Sequence, residues 1–500
     1  MTLSPAAGGA SSDGEPSGGA RVLPNFVGGR WVPSAAEETV DVHDPARGAV
    51  LARAPLSTRE DLDAAVSAAA KAFPAWSETP AATRARAMFR LRARLEERAE
   101  EIARLVTTEH GKTLDESRGS VRRAIECVEA ACGAPSMLMG QSLENVASGL
   151  DCTVFRQPLG VCAAIAPFNF PVMVPLWFLP FAVVCGNTFV LKPSEQVPLT
   201  MTRVFELLAE CDLPPGVVNL VHGGRETAEA ICDHPGIRAV SFVGSTPVAR
   251  AIYERATRAG KRVQALGGAK NYVVVMPDAD LEAAIPAITE SFYGCAGERC
   301  LAGSVLVPVG AAHDEVCDRL IRSARSLRVG DGADPATRMG PVVSGRHRDR
   351  ILGYIEKGIS EGARLALDGR DLVPAGTGGY FVGPTVFDRV DPAMTIARDE
   401  IFGPVASVVP ADDLDGAVAA MRSHPNANAA SIFTSSGRAA REFAHRAPSS
   451  MVGVNVGVAA PMAYFPFGGA RDSFFGDLKV HGRDAFAFYT DGKVVMSRWP

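Results

Sequence analysis

A-V-S-F-V-G-S-T-P, residues 239–247, is a short apolar run that ends in a glycine turn. Residues 239–243 read as a buried strand, and F-V-G-S-T-P at 242–247 reads as the strand-turn-helix that dinucleotides use. Working outward, apolar runs of the same kind stand at 161–166, 188–191, 217–221 and 272–276, separated by amphipathic segments. That alternation predicts a parallel sheet with crossover helices. A second series begins near Leu281 and runs to about Phe443, with strands expected at 304–309, 405–409 and 430–433. Two α/β lobes follow, in keeping with a chain of 500 residues, more than one core usually supports.

Residues 62–123 read as mostly helical, with breaks near Pro74, Pro80 and Gly111. No fixed-period repeat points to a solenoid or a propeller. Near the C-terminus, 493–497 is strand-like but too short for a domain, so it should add an edge strand, on a partner subunit in one version.

Composition narrows the function. Basic and acidic residues number 51 and 56, a net charge of -5, so nothing attracts nucleic acid or an anionic membrane. The 10 cysteines include no C-x-x-C pair and suit reduced thiols in a cytoplasmic protein. Residues 1–20 lack an apolar export core, carry Asp13 and Glu15, and read as a disordered tail. The stretch 160–191 has one lysine-free, charge-free run up to Leu191 that imitates a membrane span. Pro167, Pro171, Pro175 and Pro180 would break a spanning helix repeatedly, so a strand, a turn and a short core helix are expected instead.

Cys300 stands in G-C-A-G-E-R-C-L-A-G, a glycine-broken turn after a helical stretch, where an exposed thiol can meet a ligand. A cysteine alone is a weak signal; Cys127, Cys185 and Cys295 read as small buried hydrophobes. Cys300 gains from its company, the polar Asn169 inside P-F-N-F-P at 167–171 and the strand-turn-helix at 242–247. A thiolate can attack an aldehyde carbonyl, and the oxyanion then needs donors placed in advance, such as the Asn169 amide and the Cys300 N–H. Loss of hydride leaves an acyl thioester that a second nucleophile must cleave.

These motifs, with L-K-P-S-E at 191–195, L-G-G-A-K at 266–270, G-E-R-C at 297–300 and E-I-F-G-P at 400–404, occur in one order from about Asn25 onward. In that order the chain resembles the aldehyde dehydrogenase superfamily. The resemblance implies Cys300 as nucleophile and Asn169 as oxyanion donor. It implies NAD as cofactor, held by Phe168, Lys192, Glu195, Gly244, Ser245, Glu400 and Phe402. Glu195 would accept from ribose hydroxyls and repel a 2′-phosphate, and the helix after Gly244 would offer N–H groups to the pyrophosphate. Without its motif, Lys192 with Glu195 would be an ordinary surface ion pair.

Many superfamily members that hydrolyse their thioester carry Glu just before L-G-G, where Ala265 stands here. Alanine cannot activate water, so coenzyme A becomes the expected acyl acceptor. With V-Q-A-L-G-G-A-K-N-Y-V-V-V-M-P-D-A-D at 263–280, E-H-G-K-T at 109–113, G-V-N-V at 453–456, F-F-G-D at 474–477 and F-Y-T at 488–490, the chain resembles the CoA-acylating methylmalonate-semialdehyde dehydrogenases. The loop G-V-A-A-P-M-A-Y at 457–464 departs from the more proline-rich form of many relatives. In that family two arginines grip the substrate carboxylate, and the matching places are Arg123 and Arg299. Their field is expected to lower the pKa of Cys300. Arg123, beside Arg122, could equally lie on a solvated helix face.

The resemblance implies oxidation of methylmalonate or malonate semialdehyde, with decarboxylation to propionyl-CoA or acetyl-CoA. It also implies a homotetramer or homodimer and no metal. A hydrolytic aldehyde dehydrogenase releasing a free acid is the alternative; a non-catalytic binding or structural protein fits less well with intact motifs. The expected division is a tail at 1–20, a Rossmann-type NAD-binding lobe from 21–145 and 167–270, an α/β catalytic lobe at 271–452, and a small β oligomerisation element from 146–166 and 480–500.

Overall fold

The computed structural model describes residues 20–499, so the expected tail, with Asp13 and Glu15, lies outside the described residues but for Ala20. The first lobe is built on an eight-stranded sheet. Val161–Ile165 lies within it, flanked in parallel by Thr188–Lys192 and then Val218–Leu220 on one side, and by Ile237–Val243 and then Arg262–Leu266 on the other. The chain moves outward from 161–165 in one direction and later returns to move in the other. The carboxyl ends on either side of that reversal therefore open a crevice. Antiparallel strands close the edges, Asn25–Val27 and Arg30–Val32 at one and Phe474–Phe475 at the other.

Four helices, Arg59–Glu78, Ala81–Glu97, Ala99–His110 and Leu114–Cys132, fill the expected helical stretch. Capping boxes at Thr58 and Thr113 start the first and last. Gly111, at φ +95°, ends the third in a left-handed turn. Pro74, expected to interrupt, lies inside the first helix near its end, while Pro80 does mark a boundary. The charge-free stretch resolves into a strand, the wholly buried helix Pro175–Val184 and a second strand. No helix among the described residues is long and apolar enough to cross a membrane.

The second lobe carries a seven-stranded sheet. Asn271–Val275 runs parallel to Gly303–Pro308 on one side and to Ala429–Phe433 on the other. Val405–Val408 and Thr385–Asp388 extend the first side, Met451–Val454 the second, and Arg364–Leu367 adds an antiparallel edge. Each sheet is covered by its own apolar cluster.

A third, three-stranded antiparallel sheet joins Gln141–Ala147, Leu150–Pro158 and Thr490–Arg498. It corrects the expected small element in three ways. The element begins at Gln141, and 161–165 belongs to the large sheet. The helix Gly482–Phe488 buries Phe486 and Phe488 in the first lobe's core. The C-terminal strand pairs within its own chain, from Thr490 opposite Pro158 to Arg498 opposite Leu150.

Candidate active site

The carboxyl ends of the first sheet and the amino ends of the second sheet's strands face each other. From the first come the turns carrying Pro167 to Asn169, Gly244 to Thr246 and Gly267 with Gly268; from the second come Cys300, just before 303–308, and Glu400 with Phe402, just before 405–408. Cys300 lines two cavities at once. One, of about 280 Å³, is bordered by Arg123, Arg299, Phe170, Trp177, Phe467 and His481 among others. The other, of about 670 Å³, is bordered by Phe168, Asn169, Gly244, Ser245, Glu400 and Phe402 among others.

The turn before Cys300 is strained. Cys295 and Ala296 both hold φ near +50°, and a Cβ on Gly297 would strike the backbone of Gly403. Polar side chains pin the turn. Asn271 Nδ2 donates to the Cys300 carbonyl at 2.9 Å and Asn428 Nδ2 donates to the same oxygen at 2.7 Å. Asn169 Nδ2 donates to the Glu298 carbonyl at 3.1 Å, which brings the amide to the nucleophile's own turn. Lys112 Nζ, buried, donates to the Asn169 carbonyl at 2.6 Å. Sequence reasoning gave no role to Lys112, Asn271 or Asn428. Lys112 lay in the quoted E-H-G-K-T, and Asn271 follows L-G-G-A-K directly; Asn428 carried no local signal.

Burial, and then the carboxylate of Glu400, push the Cys300 thiol up to about 12, and the opposing pull of Arg299 is smaller. The expected lowering is present from Arg299 but is outweighed, so the net shift is upward. Arg299 sits in the cavity wall with Nη1 3.0 Å from Glu290 Oε1. Arg123 pairs with Glu126 at 2.8 Å and donates to the carbonyl of Pro461, facing the same cavity rather than bulk solvent alone. Both expected arginines therefore line a cavity that Cys300 also lines.

Ala265, the place before L-G-G, lies on the strand Arg262–Leu266. Its side chain packs into the cluster on one face of the sheet, whereas Leu266 packs into the cluster against which Cys300 rests. Successive strand residues point to opposite faces, so of the two it is Leu266 that shares the thiol's cluster.

The larger cavity fits a dinucleotide. Ser245 begins the helix Thr246–Arg258 without a side-chain cap, leaving N–H groups free. The wall is made of glycines: a Cβ on Gly267 would lie 2.7 Å from the Asp472 carbonyl, and one on Gly268 would strike the Glu400 carboxylate. Glu400 Oε1 accepts from the Ala269 N–H at 2.9 Å, and burial raises its carboxyl to about 7. Phe402, at φ +58°, meets Phe168 edge-on at 5.8 Å. Lys192 and Glu195 pair at 3.2 Å at the carboxyl end of the neighbouring strand; they do not line this cavity.

A model of the aldehyde dehydrogenase family matches residues 31–495. Malonate-semialdehyde dehydrogenase 1 of Geobacillus kaustophilus is 52% identical, over 96% of this chain and 98% of that protein. The crystal structure of methylmalonate-semialdehyde dehydrogenase from Oceanimonas doudoroffii superposes with a TM-score of 0.94 at 44% identity, covering 96% of this chain and 99% of that one. An aldehyde dehydrogenase from Bacillus cereus, solved as its NAD+ complex, gives 0.91 at 32% identity over 96% and 97% of the two chains.

Proposed function

The chain belongs to the aldehyde dehydrogenase family, and from that premise we propose that it oxidises malonate or methylmalonate semialdehyde with NAD through a thioester on Cys300. The observation that carries this reading is the position of Cys300 at the junction of a glycine-walled cavity and a smaller one holding two arginines. Arg123 and Arg299 bind the substrate carboxylate, each guanidinium offering a fork of donors. The aldehyde carbon then lies against Sγ. Its oxygen receives hydrogen bonds from Asn169 Nδ2 and the Cys300 N–H as the tetrahedral oxyanion forms.

NAD, when bound, supplies the hydride acceptor. Gly244 and Ser245 would meet its pyrophosphate, Glu400 its nicotinamide ribose, Phe168 and Phe402 its ring, and Lys192 with Glu195 its adenosine ribose. Glu400 can keep the Ala269 N–H on Oε1 while Oε2 accepts from that ribose. With an alkyl side chain at 266 no carboxylate is placed to activate water there, which supports coenzyme A as the acyl acceptor. Loss of the β-carboxylate as carbon dioxide then gives acetyl-CoA or propionyl-CoA.

The three-stranded sheet exposes Leu143, Phe155, Val494 and Met496, which supports its reading as a contact between copies in a homotetramer or homodimer. Ten free thiols fit a cytoplasmic location. The test is NADH production from either semialdehyde with and without coenzyme A, with products identified by mass spectrometry. CoA-dependent turnover to acetyl-CoA or propionyl-CoA is the expected result. Fast CoA-independent release of a free acid would overturn the acylating step.

A further inference from the structure

Among the polar side chains of the small cavity at Cys300 that the mechanism above leaves unused is an imidazole. His481 lies at its aromatic end, 3% exposed, with its ring edge-on to Trp177 at 5.1 Å and tilted against Phe467 at 5.7 Å. Its backbone is held at φ +72°, a conformation that a residue with a β-carbon adopts only where the surroundings impose it. Nε2 faces the thiol of Cys127 at 3.7 Å, and Nδ1 has no partner among the described residues. A buried polar nitrogen left unpaired is costly, and a bound ligand that accepts from it removes that cost.

Nor is the nitrogen alone. Arg299 Nε and the Ser120 hydroxyl, in the wall of the same cavity, are also buried without a partner among the described residues. The cavity's own carboxylates are already engaged, Glu126 by Arg123, Glu290 by Arg299, and Glu116 by the N–H groups of Thr113 and Cys295. The spare capacity is therefore donor capacity. Burial and the nearby Arg123 keep the imidazole neutral, pushing it down to about 3. When the Cys127 S–H donates to Nε2, the proton of the neutral ring stands on Nδ1.

We propose that His481 is a third donor to the substrate carboxylate, its Nδ1–H acting beside Arg123 and Arg299 to select carboxylate-bearing semialdehydes over uncharged aldehydes of the same length. The inference rests on the proposed substrate class. A neutral imidazole adds direction and shape to the site without adding charge. It stands against the rings of Trp177 and Phe467, where an uncharged alkyl chain would leave it unpaired.

The test compares kcat/KM for malonate semialdehyde with that for propanal in the full-length enzyme. His481→Gln, which carries its amide where Nε2 stood, and His481→Leu should each lower the ratio tenfold or more. His481→Asn, which suits a positive φ and puts an amide N–H where Nδ1 stood, should hold it within about threefold. Thermal unfolding of each variant separates misfolding from lost recognition, and the Gln and Asn pair decides the matter if the leucine variant does not fold. An unchanged ratio in His481→Gln, or an equal fall in His481→Asn, overturns the inference. A wild type that does not prefer the semialdehyde overturns the proposed function first, and the role of His481 with it.

Discussion

Lys112 Nζ lies 2.6 Å from the carbonyl oxygen of Asn169 and 3.9 Å from the centre of the Phe170 ring, with the lysine almost wholly buried. The ammonium thus anchors the backbone of the residue whose side-chain amide reaches the Cys300 turn. It also lies under an aromatic ring that lines the small cavity.

Lys112→Met keeps the packing volume and removes that anchor. The expected result is a fall in kcat of about 10- to 100-fold, the size associated with a displaced oxyanion donor. Alkylation of Cys300 by iodoacetamide should change far less, because the thiol does not depend on Asn169. Equal losses in both would mean that Lys112 holds the whole turn rather than the donor.

The two faces of the strand Arg262–Leu266 give a paired prediction. Leu266→Glu places a carboxylate on the face toward the Cys300 cluster, so some CoA-independent NADH formation and free acid should appear. Ala265→Glu forces a charge into the opposite cluster, so it should lower the melting temperature without creating hydrolysis. Hydrolysis from the Ala265 variant instead would mean that the side chain at 265, not 266, reaches the thioester.

Glu400 links stability to the cofactor site. Its folded pKa is raised to about 7 by burial, so the native state holds a proton that the unfolded chain has already lost between about pH 4.5 and 7. That stabilising preference is complete below pH 4.5 and lost as pH rises through 7. Glu400→Gln removes the titration. Allowing for partial exposure, it should gain roughly 2 kcal/mol relative to wild type at pH 8, and much less at pH 5. Urea unfolding at the two pH values measures the difference, and an equal shift at both would rule out the linkage. The same variant should bind NAD more weakly.

Much of this was legible in the sequence because strands and turns are local. The runs at 161–166 and 239–243 became neighbouring strands, and Gly244 and Ser245 fell on the helix start as expected. Asn169, Cys300, Arg123 and Arg299 came together although the sequence separates the first and last of these places by more than a lobe boundary. What escaped were properties of the assembled fold. Which of Ala265 and Leu266 shares a cluster with the thiol depends on strand facing, which a motif aligned by letters does not specify. Asn428 reaches the Cys300 carbonyl only because the strand after it lies beside Asn271–Val275. The C-terminal strand could have paired with another chain; nine residues in register with 150–158 fixed it at home.

The thiol itself gives the last prediction. An arginine field that lowered the Cys300 pKa to near neutrality would give alkylation rates that level off by about pH 8. Burial and Glu400 instead hold the thiol up to about 12 in the enzyme without ligands. Because the thiolate is the reacting form, the rate of inactivation by iodoacetamide should rise about tenfold per pH unit from 7 to 10 with no plateau. Glu400→Gln removes the negative neighbour and should speed the reaction at a fixed pH near 8; Arg299→Met removes the opposing positive charge and should slow it. The signs of these two effects follow from Coulomb's law alone, since like charge disfavours the thiolate and opposite charge favours it. A plateau near pH 8 in the wild type would mean that the arginines outweigh burial and that the thiol is activated before any ligand binds.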